Sequence, residues 1–234
     1  MFYDREDAGE QLGRLLSSQK VGVDIVLGLP RGGVVTAEGV AKILNKPLDV
    51  LVVRKIGMPG HSEFAVGAMA EGNIKIYSDA TMEMMGVDRK DLAQVEKIEK
   101  LRLDSYIKKF HNPHLSSRAP TGRGDLIKTD RDCRGVPRND IKDKSVLLVD
   151  DGIATGLTVK AAVLACRKFG AKKIVVGAPV ASRSAADDID RTADKTYFLK
   201  VDPAFAAVGQ YYQHFDQTTD EQVRELLNCT KLHQ

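Results

Sequence analysis

The stretch VLLVDDGIATGLTVKAA, which begins at Val146, constrains the fold of this chain more than any other. Four apolar residues lead into two adjacent aspartates, and a loop of small residues and a helical pattern follow. A loop of this kind between a buried strand and a helix presents several backbone N–H groups to one point, at the positive end of the helix dipole. The segment therefore predicts an anion site, best suited to a phosphate, at the carboxyl end of a strand.

The paired aspartates, Asp150 and Asp151, suggest what lies beside that phosphate. Carboxylates would repel a pyrophosphate, but they accept hydrogen bonds from sugar hydroxyls, as the ribose-binding carboxylate of dinucleotide folds does. The implied ligand has a phosphate at one end and a vicinal diol nearby, so a ribose 5-phosphate fits. No lysine follows the loop glycine, which excludes a Walker A loop. The residues predicted to bind the phosphate are Gly152, Ile153, Ala154, Thr155, Gly156, Leu157 and Thr158.

The remaining pattern predicts an α/β fold. Apolar runs that do not alternate, separated by helical segments, indicate a mostly parallel sheet covered on both faces. The predicted strands are 24–27, 48–53, 146–149, 173–178 and 196–199, and the predicted helices are 4–16, 34–44, 88–110, 156–169, 183–191 and 219–227. Thr218 or Thr219 is the expected N-cap of the last helix.

Other segments give weaker signals. Residues 54–77 are rich in glycine: the first half predicts a mobile loop, and 64–71 with 74–77 predict a hairpin around Gly72-Asn73. The charges of 88–110 are interpreted as a solvated helix face. Residues 112–144 predict an exposed insertion on a single domain spanning 1–234, with a flap or subunit contact as the alternative, and 200–234 form a C-terminal segment.

Composition excludes several classes of protein. A net charge of +3 over 234 residues gives no argument for nucleic acid and is compatible with an anionic small substrate. No apolar run reaches the roughly 20 residues that span a bilayer. The charged start is no signal peptide, and three scattered cysteines (Cys133, Cys166, Cys229) without a CxxC motif predict a reduced, cytoplasmic protein. His111 and His114 are interpreted as loop residues rather than metal ligands.

The segment VLLVDDGIATGLT resembles the 5-phosphoribosyl-1-pyrophosphate (PRPP) signature of the type I phosphoribosyltransferases. LPRGG resembles the short loop of that fold that grips the pyrophosphate, often through a non-prolyl cis peptide. The matching residues are Pro30, Arg31, Gly32 and Gly33, with Pro30–Arg31 as the expected cis bond. Nearly the whole chain, 2–227, is similar to a bacterial and archaeal group of predicted phosphoribosyltransferases whose substrate is unsettled, through DREDAGEQL, LDVLVVRKIGMPGH, AVGAMAEG and AVGQYY.

Three further matches follow from this resemblance. Arg54 and Lys55 match the flexible loop that closes over PRPP. Glu71 matches the acidic residue that donates or orients a proton in adenine phosphoribosyltransferases, although a glutamate beside a turn is as often simply solvated. PAFAAVGQYYQHF resembles the base-binding hood of hypoxanthine-guanine phosphoribosyltransferases, in which Phe205 would stack on a base beside Val208; core packing explains Phe205 nearly as well.

The resemblance implies Mg²⁺-dependent transfer of phosphoribose from PRPP to a nitrogenous acceptor, with release of pyrophosphate. Asp150 and Asp151 would hold the diol and contact the metal through water. A purine-like base is the first expected acceptor, and a homodimer is possible because the fold often dimerises. Two alternatives use the same fold: a regulator that senses PRPP or nucleotides without chemistry, and a PRPP synthase-like diphosphotransferase, for which the sequence shows no ATP site.

Overall fold

The computed structural model describes residues 1–111, 138 and 140–231, and it leaves out the side chains of 62, 63 and 229–231. The helices are α1 (Arg5–Ser18), α2 (Gly32–Leu44), α3 (Asp79–Met85), α4 (Ala93–His111), α5 (Leu157–Lys168), α6 (Arg183–Asp190) and α7 (Asp220–Lys231). The strands are β1 (Ile25–Gly28), β2 (Leu48–Val50), β3 (Val53–Met58), β4 (His61–Ala70), β5 (Ile74–Tyr77), β6 (Ser145–Val149), β7 (Lys173–Ser182) and β8 (Lys195–Asp202).

The central sheet has the strand order β2-β1-β6-β7-β8, and each neighbouring pair is parallel. Its strands are apolar on both faces because helices cover both. In β6, Val146 and Leu148 face the cluster that contains α5 and α6, whereas Leu147 and Val149 face the cluster that contains α1 and α2. The predicted α/β fold with a covered parallel sheet is therefore confirmed.

A second, antiparallel sheet contains β3, β4 and β5. The predicted hairpin is present, and Gly72 and Asn73 connect its strands with φ angles of +73° and +57°. Two predictions around it are wrong. Residues 48–53 do not form one strand, because β2 ends at Val50 and β3 begins in the other sheet at Val53. The segment after Arg54 is not a loop, because it pairs with β4 as β3.

The segments between the predicted elements also differ from the prediction. Helix α3, which follows β5, was not predicted. Most of the 112–144 insertion lies outside the described residues. At its end Asp140 and 142–144 are exposed, as predicted, whereas Arg138 and Ile141 are buried. At the C-terminus, Oγ1 of Thr219 accepts a hydrogen bond from the Gln222 amide at 3.1 Å, which confirms Thr219 as the N-cap of α7. Among the helices described, none is both long and apolar enough to cross a membrane.

Candidate active site

The two aspartates lie where β6 ends, at the carboxyl edge of the central sheet. Oδ1 of Asp150 accepts a hydrogen bond from the backbone N–H of Asp151 at 3.0 Å. Burial raises the pKa of the Asp150 carboxyl well above its ordinary value, and the charge of Asp151 raises it further, while the charge of Lys55 acts in the opposite direction. The two carboxylates therefore crowd each other at a point where hydroxyl donors or a cation would stabilise them.

Arg5, the first residue of α1, holds Asp151 in place. Its Nε donates to Oδ2 of Asp151 at 2.7 Å, and its Nη1 donates to the carbonyl of Asp216 at 2.7 Å. The guanidinium carbon lies 3.7 Å from the centre of the Phe215 ring. The backbone carbonyl of Asp151 also accepts a hydrogen bond from the hydroxyl of Tyr212. The N-terminal helix and the C-terminal segment thus meet at the acidic pair.

The predicted phosphate loop connects β6 to α5. Its start is fixed by two backbone hydrogen bonds of 2.9 Å, from the Ile153 amide to Val180 and from the Ser182 amide to Ile153. Ala154 and Thr155 are exposed, and Gly156 (φ +74°) turns the chain into α5 without a side-chain cap. An uncapped helix start next to exposed small residues leaves backbone N–H groups available to an anion.

The second predicted loop lies beside the first. The Pro30–Arg31 peptide bond is cis, as the sequence predicted. Helix α2 begins directly after it at Gly32, again without a side-chain cap. A Cβ on Gly32 would lie 2.1 Å from Oδ2 of Asp151, so only glycine allows this loop to pack against the acidic pair.

Arg54 and Lys55 approach the site from β3. Nε of Arg54 donates to Oε2 of Glu99 in α4 at 2.8 Å, and Oε1 of the same carboxylate accepts from Nη1 of Arg102 at 2.6 Å. Lys55 is exposed. The cationic side chains of the site therefore come from β3 and from α4, a helix that the sequence analysis did not place at the site.

These segments surround one open cavity of about 910 Å³. Of the predicted site residues, those on its wall are Pro30, Arg31, Gly32, Arg54, Lys55, Asp150, Asp151, Gly152, Ile153, Ala154, Thr155, Gly156, Thr158 and Val208. Gly33 packs behind this wall, where a Cβ would lie 2.7 Å from Oδ1 of Asp150. The side chain of Leu157 belongs to the hydrophobic core.

Two predicted residues lie elsewhere. Glu71 is buried away from the cavity wall, where its Oε1 accepts a hydrogen bond from the Val52 amide at 2.7 Å. The ring of Phe205 stacks on Tyr211 with the centroids 5.4 Å apart, and it does not line the cavity. Neither side chain lines this cavity, so the proton-donating role of Glu71 and the base-stacking role of Phe205 stay predictions.

The sequence reasoning missed several cavity residues: Arg5, Val95, Ile98, Glu99, Arg102, Gln217 and Thr218. For α4 a signal was present, because positions 95, 98, 99 and 102 follow the i, i+3, i+4, i+7 spacing of one helical face. The interpretation of 88–110 as carrying only solvated charges is wrong for this face, since Glu99 is 8% exposed. For Gln217 and Thr218 we find no comparable signal.

The fold and the site together define an α/β protein with two uncapped helix starts, a pair of carboxylates and several cations around one cavity at the sheet edge. Residues 3–213 match the family model described as the phosphoribosyl transferase domain. The chain therefore belongs to the phosphoribosyltransferase family, and its fold is that of the type I enzymes.

Relatives agree with this assignment. Two curated proteins from Mycobacterium tuberculosis, strains CDC 1551 and H37Rv, are each named "Putative phosphoribosyl transferase" and are 36% identical over 228 residues, or 97% of this chain. This chain spans 46% of the length of each, so about half of those proteins has no counterpart here. The crystal structure of TT1426 from Thermus thermophilus matches with a TM-score of 0.69 at 34% identity, over 97% of both chains.

Proposed function

We propose that this protein transfers 5-phosphoribose from PRPP to a nitrogenous acceptor and releases pyrophosphate. The observation that carries the proposal is the convergence of three groups on one cavity: the amide loop after β6, the acidic pair that directly precedes it, and the cations Arg31, Arg54 and Lys55 from two other parts of the chain. Each group matches one part of PRPP. The amides and hydroxyls of the loop 152–158 bind the 5′-phosphate, Asp150 and Asp151 bind the diol, and Arg31, Arg54 and Lys55 neutralise the diphosphate.

The reaction breaks the bond between the anomeric carbon and the diphosphate oxygen, and the electron pair leaves with the diphosphate. The acceptor nitrogen forms the new bond from the opposite face, with inversion, and its proton passes to solvent. Negative charge grows on the leaving group while positive charge grows on the ribose ring. Positioned cations and carboxylates therefore supply most of the catalysis, without a covalent intermediate on the protein.

The acidic pair also suits a Mg²⁺ ion. Among the described residues no group of three or more histidine, cysteine or carboxylate side chains is arranged as a metal site. Mg²⁺ in phosphate chemistry is commonly held by one or two carboxylates together with substrate oxygens and water, which is the donor set that Asp150 and Asp151 offer. When bound there, the ion would neutralise part of the diphosphate charge.

For the acceptor we propose a purine-like base, ahead of pyrimidines and other amines. Val208 is the hood residue that reaches the cavity, and it packs so closely over Gly152 that a Cβ there would lie 2.5 Å from Val208 Cγ1. An apolar side chain above the loop can cover one face of a planar ring. The contact with a base is therefore assigned to Val208 instead of Phe205.

The test is the double variant Asp150→Asn/Asp151→Asn, compared with the native protein by calorimetry with PRPP and Mg²⁺ and by pyrophosphate release with a panel of bases. We expect PRPP binding to weaken by at least about 100-fold, because two charge-assisted hydrogen bonds, each worth roughly 1.5–3 kcal/mol, are lost. The variant should fold, since the repulsion between the two carboxylates is relieved and the amide oxygen at position 151 can still accept the hydrogen bond from Arg5. Asp187→Asn is the matched control, because Asp187 is 56% exposed and lies outside the cavity. Near-normal turnover by a folded double variant would refute the proposal.

A further inference from the structure

One face of α4 forms a wall of the cavity. Val95, Ile98, Glu99 and Arg102 all lie on it, and their spacing puts them on the same side of the helix. None of them belongs to the segments that resemble the phosphoribosyltransferase motifs. Their role is therefore inferred from their contacts.

Glu99 links two arginines that both line the cavity. Its two carboxylate oxygens accept from Nε of Arg54 at 2.8 Å and from Nη1 of Arg102 at 2.6 Å. The Glu99 side chain is only 10% exposed, whereas that of Arg102 is 59% exposed. The carboxylate is thus enclosed between two guanidinium groups, and each guanidinium has five N–H donors, of which the bridge uses one.

The charges at this point do not balance. Two guanidinium groups share one carboxylate, so one positive charge is left over, and the exposed Lys55 lines the same cavity. A pair of planar guanidiniums fixed at one spacing suits an anion with several oxygens, because each can donate two parallel hydrogen bonds. A neutral acceptor would gain little from such an arrangement.

We infer that Arg102 is a second arginine for the diphosphate of PRPP, and that Glu99 is the positioning residue that holds Arg54 and Arg102 in register. This inference rests on the proposed function and names residues that none of the matched motifs contains. Helix α4 then supplies part of the leaving-group site, and Val95 and Ile98 form the apolar part of the same wall.

The experiment measures the binding of pyrophosphate and of ribose 5-phosphate separately by calorimetry, with Mg²⁺ present. In Arg102→Ala we expect the dissociation constant for pyrophosphate to rise about tenfold or more, since charge-assisted hydrogen bonds are lost. Binding of ribose 5-phosphate should be unchanged, because its phosphate belongs to the loop 152–158. Lys100→Ala is the matched control: Lys100 lies in the same helix, pairs with Asp104 at 2.6 Å and does not line the cavity.

Glu99→Gln separates positioning from simple neutralisation. The carboxylate bridges the guanidiniums through two different oxygens, and an amide would turn an NH2 donor towards one of them. Pyrophosphate affinity should therefore fall if Glu99 positions the two arginines. If Glu99 only cancels charge, removing its negative charge should raise the affinity instead, and the positioning role would be overturned.

The outcomes distinguish this inference from the proposed function. If native protein binds PRPP but Arg102→Ala binds pyrophosphate normally, the assignment of Arg102 is wrong and the proposed function stands. If Arg102→Ala changes only the KM of the acceptor, the assignment of Arg102 to the diphosphate is also wrong, since Arg102 would then face the acceptor. If native protein binds neither PRPP nor pyrophosphate, the proposed function fails and this inference fails with it.

Discussion

Glu71 provides a direct test of the difference between a catalytic and a structural carboxylate. Its side chain is 5% exposed; Oε1 accepts from the Val52 amide at 2.7 Å and lies 2.9 Å from Nε2 of His111. Oε2 lies 3.6 Å from Nη1 of Arg138, a residue that also contacts Asp49. Through these contacts Glu71 connects Val52, which directly precedes β3, with His111 and Arg138, the described residues on either side of 112–137.

The expected cost of Glu71→Ala follows from these partners. The Val52 amide would be left buried without an acceptor, which costs about 1–3 kcal/mol. Breaking a buried ion pair costs roughly 3–5 kcal/mol when the partner is left alone. Arg138 keeps Asp49, Asp140 and the carbonyl of Val50, so only a fraction of that second amount applies. We expect a total loss of about 3 kcal/mol for Glu71→Ala, and about 1 kcal/mol for Glu71→Gln, which keeps an acceptor oxygen.

The free energy of unfolding is measured by urea denaturation followed by circular dichroism, and PRPP turnover is measured under conditions where each variant is folded. Glu83→Ala is the control, because Glu83 is exposed on α3, and it should change stability by less than about 0.5 kcal/mol. If Glu71→Ala unfolds at the native urea midpoint and yet has lost turnover, Glu71 acts in the chemistry and the structural interpretation is wrong.

Two further predictions concern close packing at the site and in the core. Gly32→Ala would place a methyl group 2.1 Å from Asp151 Oδ2 and 2.5 Å from Arg5 Nε. The Arg5–Asp151 pair must then separate, and the PRPP affinity measured by calorimetry should fall. In the control Gly22→Ala the new methyl group meets nothing within 4 Å, and equal affinities in both variants would contradict the packing argument. Burial raises the pKa of the Cys166 thiol from 9.0 to about 12. At pH 9 the alkylation of Cys166 should therefore be at least about 100-fold slower in the native protein than in urea. Mass spectrometry of the peptide that contains Cys166 measures both rates. The stability associated with this neutral thiol is fully present below pH 9 and is lost as the pH rises towards 12; rapid native labelling would contradict its burial.

Local patterns predicted the parts of the fold that local physics determines. The run at 146–149 is apolar on both faces, and the glycines after it permit the tight turn that leads into a helix. The cis bond at Pro30–Arg31 was expected from a resemblance, since no property of the two residues alone favours cis for a non-prolyl peptide. Ordinary capping chemistry limited the N-cap of α7 to Thr218 or Thr219, and the structure shows Thr219.

The errors occur where long-range contacts decide. Residues 48–53 read as one apolar run, but the side chain of Glu71, 19 residues beyond Val52, takes the amide that a longer strand would have used. Glu99 in α4 resembles other surface glutamates in the sequence. Its i,i+3 spacing predicts the contact with Arg102. Only the packing of α4 against β3 brings it to Arg54, and neighbouring residues in the chain carry no information on that second contact.

In the proposed complex, the distribution of charge around the cavity favours one orientation of PRPP. The loop 152–158 contains no ionisable side chain, so it offers a monophosphate only amides, hydroxyls and a helix dipole. The cations Arg31, Arg54, Lys55 and Arg102 line other parts of the cavity. A diphosphate has more negative charge to compensate than a monophosphate ester. If PRPP bound the other way round, with its diphosphate at the loop 152–158, the diphosphate would face neutral groups and the cations would face only the monophosphate. The acidic pair between the two halves strengthens this preference, since it repels phosphate oxygens and accepts hydroxyls. The proposed arrangement is thus the one in which each part of the ligand meets the charge that stabilises it, and the leaving group is the part in contact with the cations.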